Sequence, residues 1–249
     1  MIGQHIAMPG ASKSKKGGIR LDFNPLSDSM PLDFRTMTGS EQGGLGSLLH
    51  VFYAYSAAIR QVSTKLEILD HEYQVLHDHN PVHHLESRLK TPTSIYEKML
   101  RKGLPITKQA MRAHITDIAG VRVICRYRED IYTVRSALLA QDDVQLVRER
   151  DYIKEPKPNG YRSLHLIVRV PVFFSSGVEH LPVEIQLRTI GMDMWACLEH
   201  ELCYKGALDA SEAAREMKEC AEMIAAADLK MQSAFQKLHQ QSLAAGNEN

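Results

Sequence analysis

No run of 18 apolar residues occurs in this sequence, so it offers no helix able to cross a bilayer. The N-terminus also lacks the compact apolar core of a signal peptide. The four cysteines (Cys125, Cys197, Cys203 and Cys220) form no CxxC pair, which argues against both a zinc site and a disulfide framework. Charge of either sign is not in excess: 30 Lys and Arg face 30 Asp and Glu, which excludes a constitutively basic nucleic-acid coat. No GxxxxGK[ST] pattern is present and the GGLG at 43–46 is not a phosphate loop, so any handling of ATP is not of the P-loop kind. No internal repeat is visible. What remains is a soluble protein, expected to be cytoplasmic, whose 249 residues, 44% hydrophobic, suffice for one sizeable core or two small ones.

Residues 1–44 mix Gly, Ser, Lys, Pro and Met without periodicity and read as a disordered tail. From Ser47 to about Leu76 apolar residues recur at helical spacing (Leu48, Leu49, Phe52, Tyr55, Ile59, Val62, Leu66), predicting a long amphipathic helix. "HDHNPVHH" follows as a loop. Its four histidines have no familiar ligand spacing, and His77-Asp78 is an HD dipeptide without helical surroundings. Ser94 and Glu97 have capping-box spacing and open a short basic helix that stops at Gly103. Then β-branched alternation takes over. Strands are expected at 118–127, 144–152, 161–170 and 181–189, with a helix at 129–139 between the first two. Helices at 189–205 and from about 209 to 243 close the chain. The fold class is α/β (α+β): a mixed sheet of about five strands with helical flanks and long terminal helices, in one domain over 45–243.

Polar residues concentrate on one face of the predicted strands. In "YRSLHLIVRV" Tyr161, Ser163 and His165 alternate with Leu164 and Leu166, and in "LPVEIQLRT" Glu184, Gln186 and Arg188 alternate with Val183, Ile185 and Leu187. Arg122 and Arg126 lie opposite Val121, Val123 and Cys125. Each strand alone is an ordinary half-exposed strand. Together they make a floor suited to an anionic ligand with a flat base: Arg for phosphate or stacking, Tyr for stacking, Glu for proton or metal work. Asp117, just before the strand at 118–127, is either a turn residue or a partner of Glu184 in holding Mg²⁺. Seven basic residues between Arg88 and Arg112 (Arg88, Lys90, Lys98, Arg101, Lys102, Lys108, Arg112) face one acid, Glu97. They are either a solvated helix face or a means of neutralising a triphosphate.

"SRLKTPTSIYEKMLRKG" (87–103), "DIAGVRVICRYREDIY" (117–132), "DYIKEPKPNGYRSLHLIV" (151–168), "VEIQLRT" (183–189) and "MDMWACLEHELCYK" (192–205) occur in the order of RelA/SpoT-type (p)ppGpp synthetase domains, which the chain resembles over roughly residues 45–240. No hydrolase or regulatory half accompanies them, so the resemblance is to a single-domain small alarmone synthetase with a nucleotidyltransferase-like domain. It implies a GTP pyrophosphokinase of the stringent response that transfers pyrophosphate from ATP to the 3′-OH of GDP or GTP, with GMP as a further candidate acceptor, and releases AMP. It also implies Mg²⁺ held by Asp117 and Glu184, the latter activating the 3′-OH. ATP would meet Arg88, Lys90, Ser94, Lys98 and Arg122, with the two arginines sandwiching the adenine. The acceptor nucleotide would meet Tyr161, Arg162, His165, Gln186, Asp193 and Lys205, with guanine stacked on Tyr161. A homo-oligomer, a tetramer as is common in the family, and an allosteric nucleotide or RNA regulator belong to the same expectation. Gly191 and Met194 depart from the family's usual Ala and Phe in the "AMDFWA" stretch.

Two rivals stand beside this reading. A related pyrophosphotransferase could use an adenine nucleotide or a tRNA 3′ end as acceptor through the same catalytic residues. A nucleotide- or RNA-binding module could use the same fold without turnover, although it would have no need of both Asp117 and Glu184.

Overall fold

The structure, a computed structural model, describes residues 44–205 and 210–246. The expected tail lies outside them apart from Gly44. Helix α1 (Gly44–Leu76) is 33 residues long, about 50 Å at 1.5 Å per residue. Its inner stripe (Phe52, Tyr55, Ile59, Val62, Leu66) is buried, as the apolar spacing predicts. Five strands follow in the order β1 (Val82–Leu89), β2 (Ala119–Cys125), β3 (Gln145–Asp151), β4 (Leu164–Phe174) and β5 (Gly177–Thr189). Between and after them come α2 (Pro92–Arg101), α3 (Lys108–His114), α4 (Arg128–Leu139), α5 (Ile190–Lys205) and α6 (Ala210–Gly246).

The sheet runs β1-β2-β5-β4-β3, with β2 and β5 parallel and the other neighbours antiparallel. Its period-2 alternation separates two functions. Val121, Val123, Leu164, Leu166, Val168, Val183, Ile185 and Leu187 all point into the core shared with α1. Burying each such side chain is worth about 1.5–3 kcal/mol, so this face fixes the register of the other. Register then places Arg122 beside Gln186 and Gln186 beside His165 on the opposite face, with Glu184 one step along β5 beside Gly120. The mixed five-stranded sheet with helical flanks is the architecture the sequence predicts.

Several local expectations are corrected. His83 and His84 do not lie in a loop but in β1, an edge strand whose burial is confined to Val82 and partly to Leu85 and Leu89. With only one neighbour and one thinly covered face, it has no apolar alternation to betray it. Helix α2 starts at Pro92 with Thr91 as cap, whose side chain accepts from Ser94 N at 3.3 Å, so Ser94 is inside the first turn rather than its cap. Residues 161–163 precede β4. Ser163 leaves the expected row with Tyr161 and His165: it is fully buried and donates its hydroxyl hydrogen to Leu187 O at 3.1 Å.

Candidate active site

A cleft of about 920 Å³ opens over the polar face of the sheet, with Arg88, Lys90, Asp117, Arg122, Tyr161, His165, Glu184 and Gln186 in its walls. All eight are residues singled out by the sequence. Gly120 lies between Arg88 and Glu184 across β1, β2 and β5, so no side chain divides the floor there.

One end is a cluster of full charges. Asp117 Oδ2 accepts from Lys90 Nζ at 2.8 Å and from Lys98 Nζ at 2.6 Å. Lys90 follows β1 and Lys98 sits on α2, so the short segment 82–101 wraps both ammonium groups around the residue that enters β2. Burial alone would raise the Asp117 carboxyl, but the two lysines outweigh it and hold it below the usual carboxylate range. Asp117 Oδ1 is buried and has no hydrogen-bond partner. Arg122 Nη1 is shared between Glu86 Oε2 at 2.9 Å and Asp193 Oδ1 at 3.3 Å.

The other end is a continuous hydrogen-bonded chain. Arg188 Nη2 donates to Tyr161 Oη at 2.8 Å, and Tyr161 Oη lies 2.8 Å from His165 Nε2. His165 Nδ1 lies 3.3 Å from Glu184 Oε1, and Gln186 Nε2 donates to Glu184 Oε2 at 3.0 Å. Because a carboxylate only accepts, Nδ1 carries the hydrogen, and in the neutral ring the tyrosine hydroxyl therefore donates to Nε2. Burial opposes charge on Glu184, yet the bonds from His165 and Gln186 win and keep its carboxyl below the ordinary value. Arg188 is 5% exposed and also donates to Gln186 Oε1 at 3.0 Å and to Asp193 Oδ1 at 2.9 Å. Cations approach the Tyr161 ring from two residues, with Lys157 Nζ at 4.5 Å and Arg188 Cζ at 5.2 Å from its centroid.

The remaining sequence candidates are placed differently. Asp193 sits behind the floor, as the joint acceptor for Arg122 and Arg188. Arg162 turns away from the cleft and donates to Gly160 O at 3.0 Å and Ala221 O at 3.2 Å. Ser94 is outside the cleft walls, its Oγ accepting from Thr91 Oγ1 at 2.9 Å. Lys205 ends α5, and its side chain is outside the described residues. Arg126 leaves the floor to donate to Asn80 O at 3.0 Å. Lys157 and Glu199 are cleft residues to which sequence reasoning gave no role, and Arg188 was placed on the floor without a role of its own. For Arg188 the strand alternation was the available signal, whereas Glu199 enters only because α5 folds back over the sheet, where its Oε1 accepts from Asn159 Nδ2 at 3.1 Å.

The donor set suits a hard divalent cation. Asp117 and Glu184 flank the floor, and Asp117 Oδ1 is a buried acceptor awaiting a partner. Among the described residues no group of three or more His, Cys, Asp or Glu is arranged to hold a metal ion on its own.

The family model described as a region found in RelA / SpoT proteins matches residues 87–209. GTP pyrophosphokinase YwaC of Bacillus subtilis (strain 168) is 47% identical over 178 residues, 71% of this chain and 85% of that protein. Among solved structures, the small alarmone synthetase 2 of B. subtilis superposes with a TM-score of 0.69 at 41% identity, over 76% of this chain and 98% of the other. The small alarmone synthetase 1 of B. subtilis bound to its product pppGpp gives a TM-score of 0.72 at 33% identity, over 78% and 99%. The chain belongs to the RelA/SpoT family. No helix among the described residues is long and apolar enough to cross a membrane.

Proposed function

We propose that this protein is a GTP pyrophosphokinase, transferring pyrophosphate from ATP to the 3′-OH of GDP or GTP to make (p)ppGpp, with release of AMP, in a cytoplasmic stringent response. The observation that carries this reading is the placement of Glu184 between two unlike neighbourhoods: a lysine-bound carboxylate on one side and an aromatic, hydrogen-bonded shelf on the other. The names of the relatives point the same way.

In this reading the acceptor's 3′ oxygen attacks the β-phosphorus of ATP and the bond from that phosphorus to the α,β-bridging oxygen breaks, leaving AMP. Glu184, ionised at neutral pH, receives the 3′-hydroxyl proton, a role worth typically ~100- to 10,000-fold. Lys90 and Lys98 exchange Asp117 for the ATP phosphates, and Arg88 and Arg122 flank the adenine. Tyr161 offers its ring to guanine while Arg188 and His165 fix the ring through its hydroxyl. Lys157 and Lys205 supply positive charge for acceptor phosphates, and Gln186 and Asp193 hold Glu184 and the arginines in register. Asp117 and Glu184 would hold Mg²⁺, which when bound spreads the negative charge that develops on the transferred group.

The test is direct: incubate the protein with radiolabelled ATP, Mg²⁺ and GDP, GTP or GMP, then separate the products. Labelled (p)ppGpp together with AMP is expected with GDP or GTP. Label on an adenine nucleotide or a tRNA 3′ end in place of guanosine nucleotides, or binding without turnover, would overturn the assignment.

Assembly is part of the proposal. Ile68, Val75 and Leu76 on α1 and Met223, Met231 and Leu238 on α6 are all more than half exposed, which is much apolar surface for one chain to leave in water. A symmetric homo-oligomer, a tetramer, covers such surface, and an allosteric nucleotide or RNA would act on that assembly. A monomeric mass by light scattering at micromolar concentration would refute it.

A further inference from the structure

One face of α6 touches both segments that hold the acceptor shelf. Met217, Ala221, Ile224 and Asp228 follow one another at steps of four, three and four residues, so they share one side of the helix. Met217 O accepts from Trp195 Nε1 at 2.6 Å, and Ala221 O accepts from Arg162 Nη1 at 3.2 Å. Ala221 also covers Gly160, which has φ +91°. A Cβ added there would come within 2.7 Å of Ala221 Cβ. Tyr161 is the next residue, so the turn that presents its ring is pressed directly against α6.

The other end of the same face meets the start of α5. Asp228 Oδ2 accepts from Thr189 Oγ1 at 2.6 Å, and that hydroxyl oxygen accepts in turn from Met192 N at 3.1 Å. Thr189 thus closes the first turn of α5 while Asp228 fixes its hydroxyl. Gly191 lies in this turn, and a Cβ there would approach Ile224 Cγ2 to 2.8 Å and Asp228 Oδ1 to 3.2 Å. The residues flanking this joint are Arg188 and Asp193, which bond each other at 2.9 Å, and Arg188 bonds the Tyr161 hydroxyl at 2.8 Å. The glycine found where the family usually has alanine fits this packing, since an added Cβ would meet Ile224 Cγ2 first and Asp228 Oδ1 second.

Simple docking of a helix would be served by apolar side chains. A carboxyl only 4% exposed carries a desolvation penalty that an apolar residue would not, and what it adds is direction. We infer that α6 is a positioning element for the acceptor side of the site, and that Asp228, acting through Thr189 on Arg188 and Asp193, is a positioning residue for the acceptor nucleotide. This rests on the reading that the Tyr161 end receives the guanosine nucleotide. Burial raises the Asp228 carboxyl, and its contact with the Thr189 hydroxyl asks only for an acceptor oxygen, which an amide of the same shape also carries.

The test uses the full chain and three variants, Asp228→Ala, Asp228→Asn and Gly191→Ala. GDP and the non-hydrolysable α,β-methylene analogue of ATP are titrated calorimetrically, and emission of Trp195, the chain's one tryptophan, reports the seating of α6. Asp228→Ala is expected to weaken GDP at least about fivefold, with the ATP analogue within twofold, and to red-shift Trp195. Gly191→Ala should shift both readouts in the same direction and remains informative if Asp228→Ala folds poorly. Asp228→Asn should restore GDP binding, since its amide oxygen still accepts from Thr189. Equal weakening of both ligands, unchanged GDP binding in Asp228→Ala and Gly191→Ala, or no rescue by Asp228→Asn would each overturn the inference. Failure of the unaltered protein to bind GDP at all would instead overturn the acceptor assignment beneath it.

Discussion

At the Asp117 end of the cleft the contacts join full charges on side chains about one-fifth exposed: Lys90 at 20%, Lys98 at 22% and Asp117 at 17%. At the Tyr161 end they join a guanidinium with 6% exposure to neutral groups and to one carboxylate, in a chain that runs unbroken to Glu184. The first arrangement can be exchanged, because ammonium groups on flexible stems leave one anion for another when a polyphosphate arrives. The second is held before any ligand enters, because Arg188 is nearly buried and has several bonds to lose. The difference teaches that one cleft can combine a rearranging charge cluster with a rigid shelf, and that mutations at the two ends should fail differently.

The most damaging change removes the residue that both ends share. Glu184→Gln keeps the size but not the charge and should lower turnover by at least ~100-fold while the melting temperature stays near that of the parent. Near-normal synthesis by this variant would remove the carboxylate mechanism.

Asp117→Asn breaks the charged end alone. It leaves Lys90 and Lys98 without their counter-ion, and it should cut turnover on a similar scale and raise the Mg²⁺ needed for half-maximal rate. It also carries a pH signature. Asp117 has its folded pKa depressed, so its contribution to stability is present above the unfolded value of about 3.9 and disappears as pH falls through the lower folded value. Urea titrations between those limits should show that loss in the parent and not in Asp117→Asn. Identical acid limbs would mean that the lysine pairs do not persist in solution.

Breaking the shelf should give a selective effect. Tyr161→Ala loses a stacking surface worth roughly 1–3 kcal/mol, so the acceptor KM should rise about 5- to 150-fold with the ATP KM little changed. Tyr161→Phe keeps the ring, and on stacking alone it should cost far less than Tyr161→Ala. The structure changes that expectation, because the hydroxyl bonds both His165 and Arg188. Removing it leaves a nearly buried guanidinium short of an acceptor, at a cost of about 1–3 kcal/mol in stability. Thermal unfolding and separate KM values for the two substrates decide the matter; equal damage to both would mean that Tyr161 merely closes its turn.

The smallest effect is expected at Ser94. Its hydroxyl meets Thr91 in the first turn of α2 and not the cleft, so Ser94→Ala should stay within about 0.5 kcal/mol in stability and leave the ATP KM unchanged. A clear rise in that KM would extend the charged end of the site from Lys98 to the first turn of α2.

Legibility followed the same division. The sheet's inner face was readable because Val183, Ile185 and Leu187 alternate with polar residues, and burial of one set of a period-2 pattern commits the other set to the opposite side. Glu184, Gln186 and Arg122 reached the cleft by that rule. Asp117 was readable as a carboxylate at a strand's start and Lys90 as one of a basic stretch, though not as partners. Edge strand β1 escaped notice because it has one neighbour and little apolar cover, and Ser163 was misplaced because the chain at 161–163 has not yet taken up the strand's alternation.

By itself, then, the sequence determined the sheet-and-helix class, the core face and eight of the residues in the cleft walls, since periodicity and side-chain chemistry are local properties that survive in any folded arrangement. Only the tertiary structure decided which groups are joined: that two lysines share Asp117, that Arg188 reaches Tyr161 from 27 positions away, and that Asp228, 39 positions beyond Thr189, sets the start of α5. Such pairings depend on where whole elements pack against one another, and no local pattern records the distance between residues that meet only after the sheet and α6 have come together.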